Sequence, residues 1–176
     1  MVVTKDNHSA RRKVSPTERC RIKLTLGKTA TMTIRQARPD DLEALTKLFD
    51  GYRVFYDQAS DMKGATDFLT QRLTKQDSII LIALDQRAHA MGFTQLYPSF
   101  SSVSMQPLWI LNDLYVTPEN RGNGAGKALI EAAQDLATKQ GWKGLVLETA
   151  ADNPARQLYE RTGWERDGML HYSWSP

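Results

Sequence analysis

The sequence predicts an α/β protein in which a central, mixed and twisted sheet of about six to seven strands carries helices on both faces. Short apolar runs alternate with longer segments of helical periodicity in the order β-α-α-β-β-β-α-β-α-β. Two runs, 78–84 and 90–97, flank a short polar turn and indicate an antiparallel hairpin. Two later strand–helix–strand passages need crossover connections, so they indicate some parallel pairing.

The first half of the chain supplies one strand, two helices and the hairpin. Residues 31–37 alternate well enough for the first strand. Residues 38–41 contain a proline and two acids, which favour a helix start, and apolar positions then recur at helical spacing to about residue 56. A second helix is predicted over about 65–75, and the hairpin strands follow.

The second half repeats a strand–helix pattern. Residues 108–116 form an apolar run rich in aliphatic and aromatic residues, which predicts a strand. After a turn and a glycine-rich stretch, a helix continues to about residue 140. Residues 145–149 predict a strand, Asp152, Asn153 and Pro154 cap a helix that Gly163 ends, and residues 164–174 predict one or two closing strands.

Composition excludes several classes of protein. With 176 residues, 41% of them hydrophobic, the chain is long enough for one core and one domain. Because it has no apolar run of membrane-spanning length and no secretory leader, we expect a cytoplasmic protein that does not bind membranes. Cys20 is the only cysteine and the three histidines are scattered, so we expect no disulfide and no metal.

The net charge of +3 is unevenly distributed. Residues 1–31 hold eight basic and two acidic residues, a net charge of +6, so the remainder carries −3. We interpret residues 1–31 as a basic, mostly disordered extension and residues 32–176 as the single domain. A nucleic-acid arm, an organelle transit segment and translation from a start upstream of Met32 stay open for the extension. The acidic domain itself argues against a nucleic-acid partner.

A glycine-rich stretch after the apolar strand has the chemistry of an anion site. It runs from Arg121 to Lys127, with three glycines between these cations, and opens a helix. The amides of a helix N-terminus have no intrahelical partner and suit a diphosphate. A Walker A loop is excluded, because Arg121 stands where its first glycine belongs and Ala128 replaces Ser or Thr. A dinucleotide fingerprint fails because Lys127 takes the place of its last glycine.

The spacing Arg-x-x-Gly-x-Gly, from Arg121 to Gly126, resembles the acetyl-CoA-binding signature of the GNAT superfamily of N-acetyltransferases. A second stretch resembles that family's other signature, with Asn153 before a helix that carries Tyr159 and closes with Gly163-Trp164. Asn153 precedes Tyr159 by six residues where the family has seven. The body from Met32 resembles the histone/polyamine-type or amino-acid acetyltransferase subgroup.

The resemblance implies an enzyme, an acyltransferase that moves an acetyl group from acetyl-CoA to a primary amine by direct attack in a ternary complex. A catalytically inactive, CoA-binding regulatory domain is the alternative. Acetyl-CoA is the implied co-substrate, with no metal, and the amine is a small molecule or a peptide. A homodimer is also implied, because dimers are common in the family.

The resemblance assigns roles to named residues. Tyr159 is the implied acid for the leaving thiolate, although a core aromatic would explain it too. Asp113 is the candidate base or amine anchor, against a purely structural carboxylate; Asn112 stands where polyamine acetyltransferases have a Glu, and Glu148 is the reserve base. The expected cofactor-binding residues are Leu114, Tyr115, Val116, Arg121, Gly122, Asn123, Gly124, Ala125, Gly126, Lys127 and Asn153. The expected substrate-binding residues are Tyr52, Arg53, Tyr56, Gln95 and Tyr97, with Arg53 suited to the carboxylate of an amino acid.

Overall fold

The strands of the sheet lie side by side in the order in which the chain makes them. A computed structural model describes residues 21–26, 30–168 and 170–176. The strands it describes are β1 (Arg21–Leu26), β2 (Ala30–Gln36), β3 (Ile79–Leu84), β4 (Ala90–Ser101), β5 (Gln106–Val116) and β6 (Leu145–Val146). Neighbours pair antiparallel from β1 to β5, and β5 pairs parallel with β6, so the sheet is mixed as predicted.

The described residues form four helices: α1 (Leu42–Phe55) and α2 (Met62–Lys75) between β2 and β3, α3 (Ala125–Gln140) between β5 and β6, and α4 (Arg156–Arg161) after β6. Short 3-10 turns at Pro39–Asp41 and Pro118–Asn120 lead into α1 and the glycine loop. The helix α2 begins three residues earlier than predicted, because the carboxylate of Asp61 accepts a hydrogen bond from the Gly64 amide at 2.8 Å and caps it. Within the described ranges, no helix is both long and apolar enough to span a membrane.

The predicted domain contributes fewer strands to the sheet than expected. Among the described residues, the region predicted as the domain supplies five strands, β2 to β6, rather than six to seven. Residues 164–168 and 170–176 form no strand, and Leu170, Tyr172 and Trp174 of the predicted closing strand are 76–86% exposed. A strand needs the backbone of a partner, and β6 offers an edge of only two residues.

One strand lies in the segment predicted to be a mostly disordered extension. β1 pairs along all six of its residues with β2, from Arg21 opposite Arg35 to Leu26 opposite Ala30. The sheet therefore starts before residue 32. Residues 1–20 and 27–29, and Cys20 with them, lie outside the described residues.

The helices cover both faces of the sheet, which confirms the predicted layering. On one face α3 packs through buried residues such as Leu129 and Ile130 against Leu81 and Leu111 of the strands. On the other face α1 and α2 form a second core around Phe93. The two cores lie on opposite faces of the sheet. A side chain of β5 therefore packs towards α3 or towards α1 and α2, depending on the face to which it points.

Gly92 allows β4 and β5 to lie close together. It lies opposite Val116, and a Cβ built on it would be 2.5 Å from the backbone oxygen of Tyr115. We expect Gly92→Ala to lower the free energy of unfolding by about 1–3 kcal/mol, because the two strands must separate. Urea denaturation followed by Trp fluorescence measures this change.

Gly168→Ala is the matched control, because a Cβ at Gly168 meets nothing within 4 Å. Its free energy of unfolding should change by less than about 0.5 kcal/mol. Equal effects of the two substitutions would contradict the proposed clash between β4 and β5.

Candidate active site

A cleft opens where β5 and β6 separate. β5 pairs with β6 only at Trp109 and Ile110, and β6 ends at Val146, three residues before the predicted end of that strand. Just beyond, the β4–β5 register shifts: Gln95 pairs with Asp113 and Leu96 with Leu111. Asn112 is therefore the extra residue of a β-bulge, which bends the strand. A cavity of about 250 Å³ fills the space that the separation leaves.

The cavity collects residues from α1, from β5, from the loop after β6 and from α4. Its lining residues are Tyr52, Phe55, Tyr56, Leu111, Asn112, Leu114, Tyr115, Val116, Arg121, Glu148, Thr149, Asn153, Pro154, Ala155, Leu158 and Tyr159. Eight of the predicted site residues are in this set, from all three predicted groups, so the fold brings them together.

The backbone of β5 directs hydrogen-bonding groups into the cleft. The amide of Thr117 donates to the Met91 oxygen of β4 at 3.0 Å. Alternate residues of an antiparallel strand direct their amide groups to opposite sides, so Leu114 and Val116 direct theirs away from β4. The cleft side of β5 is thus an open strand edge, which suits a ligand with amide groups of its own.

The glycine loop has the conformation that its glycines permit. Gly122 and Gly124 have φ of 76° and 80°, a region that other residues rarely adopt. Gly124 caps α3, and its oxygen accepts the amide of Ala128 at 2.9 Å. The amides of the first helical turn, at Ala125, Gly126 and Lys127, therefore precede the first such bond of the helix and suit an anion.

The two cations of the loop are held differently. Lys127 lies 3.5 Å from Glu131, one turn along α3. Arg121 instead turns back over the end of β5, where its Nε donates to the Val116 oxygen at 3.1 Å. The other predicted residues of the loop do not line the cavity: Gly122, Asn123, Gly124, Ala125, Gly126 and Lys127.

The β-bulge decides which way Asp113 points. Trp109 and Leu111 pack towards α3, and strict alternation would send Asp113 the same way. The extra residue, Asn112, reverses the alternation, so Leu114 packs towards α3 and Asp113 faces α1. A single inserted residue thus turns a carboxylate towards the aromatic residues of α1.

Asp113 is only 4% exposed and has two side-chain partners. The Tyr52 hydroxyl donates to its carboxylate, and Asn112 Nδ2 donates to Oδ1 at 3.1 Å. Burial raises the pKa of Asp113 above its usual range, and the two hydrogen bonds lower it in part. Tyr52 lines the cavity and Asp113 does not, so the Tyr52 hydroxyl lies between the cavity and the carboxylate.

Tyr159 faces the cavity from α4. Its ring packs against Trp164 with centroids 5.9 Å apart, which holds it at the wall. Burial, followed by the neighbouring Tyr56, raises the pKa of the Tyr159 phenol to about 12. The hydroxyl therefore carries its proton at neutral pH and is a donor.

Asn153 lines the cavity and forms the turn before α4, whose N-cap residue is Ala155 and not one of the predicted Asp152, Asn153 and Pro154. Its Oδ1 accepts the Ala155 amide at 2.9 Å, so the side chain fixes the turn that leads to Tyr159. Glu148, the reserve base, lines the cavity near the protein surface. The Oε2 atom of Glu148 lies 2.9 Å from Nδ1 of His171.

Three of the predicted substrate residues lie outside the cavity lining. Gln95 is fully buried and its Nε2 donates to the Ser78 hydroxyl at 2.8 Å. Arg53 Nη1 donates to the Ala59 oxygen at 3.3 Å and lies 3.8 Å from Asp50, so it stabilises the turn after α1. Burial, followed by the charge of the Asp113 carboxylate, raises the pKa of the Tyr97 phenol to about 12.

Sequence reasoning missed several residues that line the cavity. Phe55 lies one residue from Tyr56 and three from Tyr52, so the helical spacing of the aromatics on α1 was the signal that could have found it. Thr149 and Pro154 carried no such signal. They reach the cavity because the chain leaves the sheet after Val146.

Comparison with known proteins agrees with this geometry. A model of the acetyltransferase (GNAT) family matches residues 42–164. The uncharacterized N-acetyltransferase YhfO of Bacillus subtilis (strain 168) is 52% identical over 143 residues, which cover 80% of this chain and 95% of that protein. A crystal structure of a probable acetyltransferase has a TM-score of 0.75 at 36% identity and covers 81% of this chain and 96% of its own.

A more distant structure is that of the aminoglycoside N-acetyltransferase AAC(6')-Iy in complex with CoA. Its TM-score is 0.71 at 20% identity, covering 86% of this chain and 99% of its own, so it shows the shared fold. Together these matches show that the chain belongs to the acetyltransferase (GNAT) family. It is an acetyltransferase, and enzymes of this family take the acetyl group from acetyl-CoA.

The hydrogen bond between Tyr52 and Asp113 yields a prediction. Tyr52→Phe removes a donor to the charged carboxylate, so the pKa of Asp113 should rise further above its usual range. Titration of the Asp side-chain carboxyl signals by 13C NMR measures this. Tyr56→Phe is the control, because Tyr56 is a neighbouring phenol and the described partners of Asp113 are Tyr52 and Asn112. A pKa of Asp113 that falls or stays constant in Tyr52→Phe would contradict the assignment.

Proposed function

We propose that this acetyltransferase moves the acetyl group of acetyl-CoA to a primary amine, by direct attack of the amine on the thioester in a ternary complex. The observation that carries the proposal is one cavity with two proton-handling groups. The Tyr52–Asp113 pair lies on its α1 side and the Tyr159 phenol on its α4 side. Amine attack on a thioester needs a group that accepts a proton and one that donates a proton.

The donor fits the loop side of the cavity. The helix N-terminus after Gly124 suits the diphosphate, and the open edge of β5 at Leu114 and Val116 suits the amide groups of the pantetheine arm. When bound there, acetyl-CoA supplies an activated acetyl group. The residues that line the cavity include no cysteine, so a transfer without a cysteine-bound acetyl group is favoured.

The amine must lose a proton before it can attack. An alkyl ammonium group has a pKa of roughly 10.4. Asp113 is the proposed acceptor of this proton, and Tyr52 stands between it and the cavity. Tyr52 therefore passes the proton on, taking one from the ammonium group while it gives its own to Asp113. The raised pKa of Asp113 makes the carboxylate a stronger base.

Tyr159 acts on the leaving group. As the N–C bond forms and the C–S bond breaks, the sulfur of CoA carries the electron pair away as a thiolate. The phenol of Tyr159 donates its proton to that sulfur. The attacking nitrogen loses its remaining extra proton to solvent as the amide forms, and solvent returns a proton to the phenolate. With a pKa of about 12, the phenol is protonated and ready to donate at physiological pH.

The acceptor side favours a cationic amine. The rings of Tyr52 and Tyr56 are 5.0 Å apart in an edge-on arrangement and line the cavity beside the carboxylate of Asp113. Aromatic faces and a buried carboxylate attract an ammonium group. Arg53, the residue suited to an amino acid's carboxylate, is already bound to the turn after α1. We therefore propose an acceptor amine without a neighbouring carboxylate.

The alternative, an inactive CoA-binding regulator, is not favoured by relatives that are named as acetyltransferases. The subgroup, the cytoplasmic location, the homodimer and the absence of metal, nucleic-acid and membrane partners stay predictions. So does the disordered character of the extension outside β1.

An acetyl-transfer assay tests the proposal. Purified protein is mixed with acetyl-CoA and a panel of amines, half of which carry a carboxylate on the carbon next to the amine. Release of CoA thiol is followed with a thiol-reactive dye. We expect release to rise above background hydrolysis with carboxylate-free cationic amines. Binding of CoA in calorimetry without thiol release from any amine would support the regulator instead.

The role of Tyr159 makes a separate prediction. Tyr159→Phe should lower kcat by about 100-fold or more, because the thiolate then leaves without a positioned acid. The Kd for CoA, measured by calorimetry, should stay nearly the same, since the ring is kept. Tyr172→Phe is the control, because Tyr172 is 83% exposed and outside the cavity lining. Unchanged kcat in Tyr159→Phe would remove this phenol from the mechanism.

A further inference from the structure

Arg121 contacts the amine side of the cavity although it belongs to the donor loop. Its Cζ lies 5.3 Å from the ring centroid of Phe55 and 5.9 Å from that of Tyr115. Both distances are within the range of a cation–π interaction. Together with the bond from Nε to the Val116 oxygen, these contacts form an aromatic–arginine cluster of Phe55, Tyr115 and Arg121.

The shape of α1 allows this cluster to form. Gly51 lies one helical turn before Phe55, on the same face of α1. A Cβ at Gly51 would lie 2.8 Å from the Tyr115 hydroxyl, so the glycine lets that ring lie against the helix. The end of α1, the end of β5 and the start of the glycine loop are thus held at one point.

A chain of ring contacts continues from the cluster to the proposed base. Phe55 packs against Tyr56 at 5.2 Å, and Tyr56 packs against Tyr52 at 5.0 Å. Tyr52 donates its hydroxyl proton to the hydrogen bond with Asp113. The donor loop is therefore joined by direct contacts to the residues that the proposed function places around the amine.

We propose that Phe55 is a positioning residue for acetyl-CoA: its ring holds the Arg121 guanidinium in place for the donor's diphosphate. This inference rests on the proposed binding of acetyl-CoA at the glycine loop. The contact with Phe55 is made around Cζ, at the centre of the guanidinium plane, and the bond to Val116 uses Nε. The four N–H groups of the two Nη atoms lie along the edge of that plane, where a guanidinium pairs with phosphate oxygens.

Fixing Arg121 before the donor arrives lowers the conformational entropy that binding costs. A long arginine side chain loses much rotamer freedom when it is immobilised, and a preorganised one has less to lose. Phe55 thus acts on donor affinity through Arg121. It does so from α1, the helix that also supplies Tyr52 and Tyr56 to the amine.

The test uses two thioester donors that share the reacting arm. S-acetylpantetheine has the thioester and pantetheine arm of acetyl-CoA but lacks the diphosphate. Phe55→Leu should lower kcat/KM for acetyl-CoA by about two- to fivefold, mainly through KM, which corresponds to a cation–π interaction at an exposed site. kcat/KM for S-acetylpantetheine should not change. Phe55→Tyr keeps an aromatic face and should behave as wild type.

Two further variants isolate the contact. Val54→Ala is the matched control, because Val54 and Phe55 are both 48% exposed on α1 but Arg121 stacks on Phe55. In an Arg121→Met background, Phe55→Leu should have no further effect on kcat/KM for acetyl-CoA, as a double-mutant cycle requires of an interacting pair. Thermal melting of each variant confirms that it is folded.

The possible outcomes separate this inference from the proposed function. If calorimetry with the wild-type protein shows no binding of CoA, the proposed donor site itself fails. If CoA binds but Phe55→Leu leaves kcat/KM for acetyl-CoA unchanged, only the positioning role fails. An equal loss with both donors, or a loss that persists in the Arg121→Met background, would show that Phe55 acts by general packing, and it would overturn the proposal.

Discussion

The extra residue at Asn112 of β5 determines the arrangement of the site. A β-strand directs alternate side chains to opposite faces, so one inserted residue exchanges the faces for everything that follows. Here it turns Asp113 from the α3 side to the α1 side. It also bends β5 close to the point where β6 ends, and the cleft between these strands is the cavity.

A buried carboxylate is costly unless other groups compensate for its lost hydration. Asp113 is compensated by hydrogen bonds from Tyr52 and Asn112, and both donors depend on the same bulge. Asn112 is the inserted residue. Tyr52, on α1, can reach the carboxylate only because the bulge turns Asp113 towards α1. Burial still outweighs these bonds, so the pKa of Asp113 stays raised, a state that suits a group meant to accept a proton.

The two halves of the site draw on different kinds of structure. The proposed donor half is made of backbone, namely the first turn of α3 and the open edge of β5, and it needs glycines at Gly122 and Gly124 where φ is positive. The proposed acceptor half is made of side chains on α1 and β5. Arg121 and Phe55 touch across the boundary, so the halves form one unit.

The long periodic elements and the local motifs can be predicted from the amino-acid sequence. α1, α3 and β5 bury stripes of recurring apolar residues, and the strand–loop–helix unit around Gly124 is specified by turn chemistry within a few residues. The same holds for Tyr159, whose place on a short helix follows from Asn153 at its start and Gly163 at its end. Such features are predictable because every group involved is close in the chain.

Which of the predicted site residues meet depends on contacts that form in the folded protein. Gln95 and Arg53 have the right chemistry for a substrate, yet Ser78 and the turn after α1 engage them. The closing strand predicted over residues 164–174 is not formed in the described residues, and β6 is too short an edge to pair with it. Period and turn chemistry describe one segment at a time, whereas strand register, pairing and the bulge depend on contacts between segments far apart in the chain.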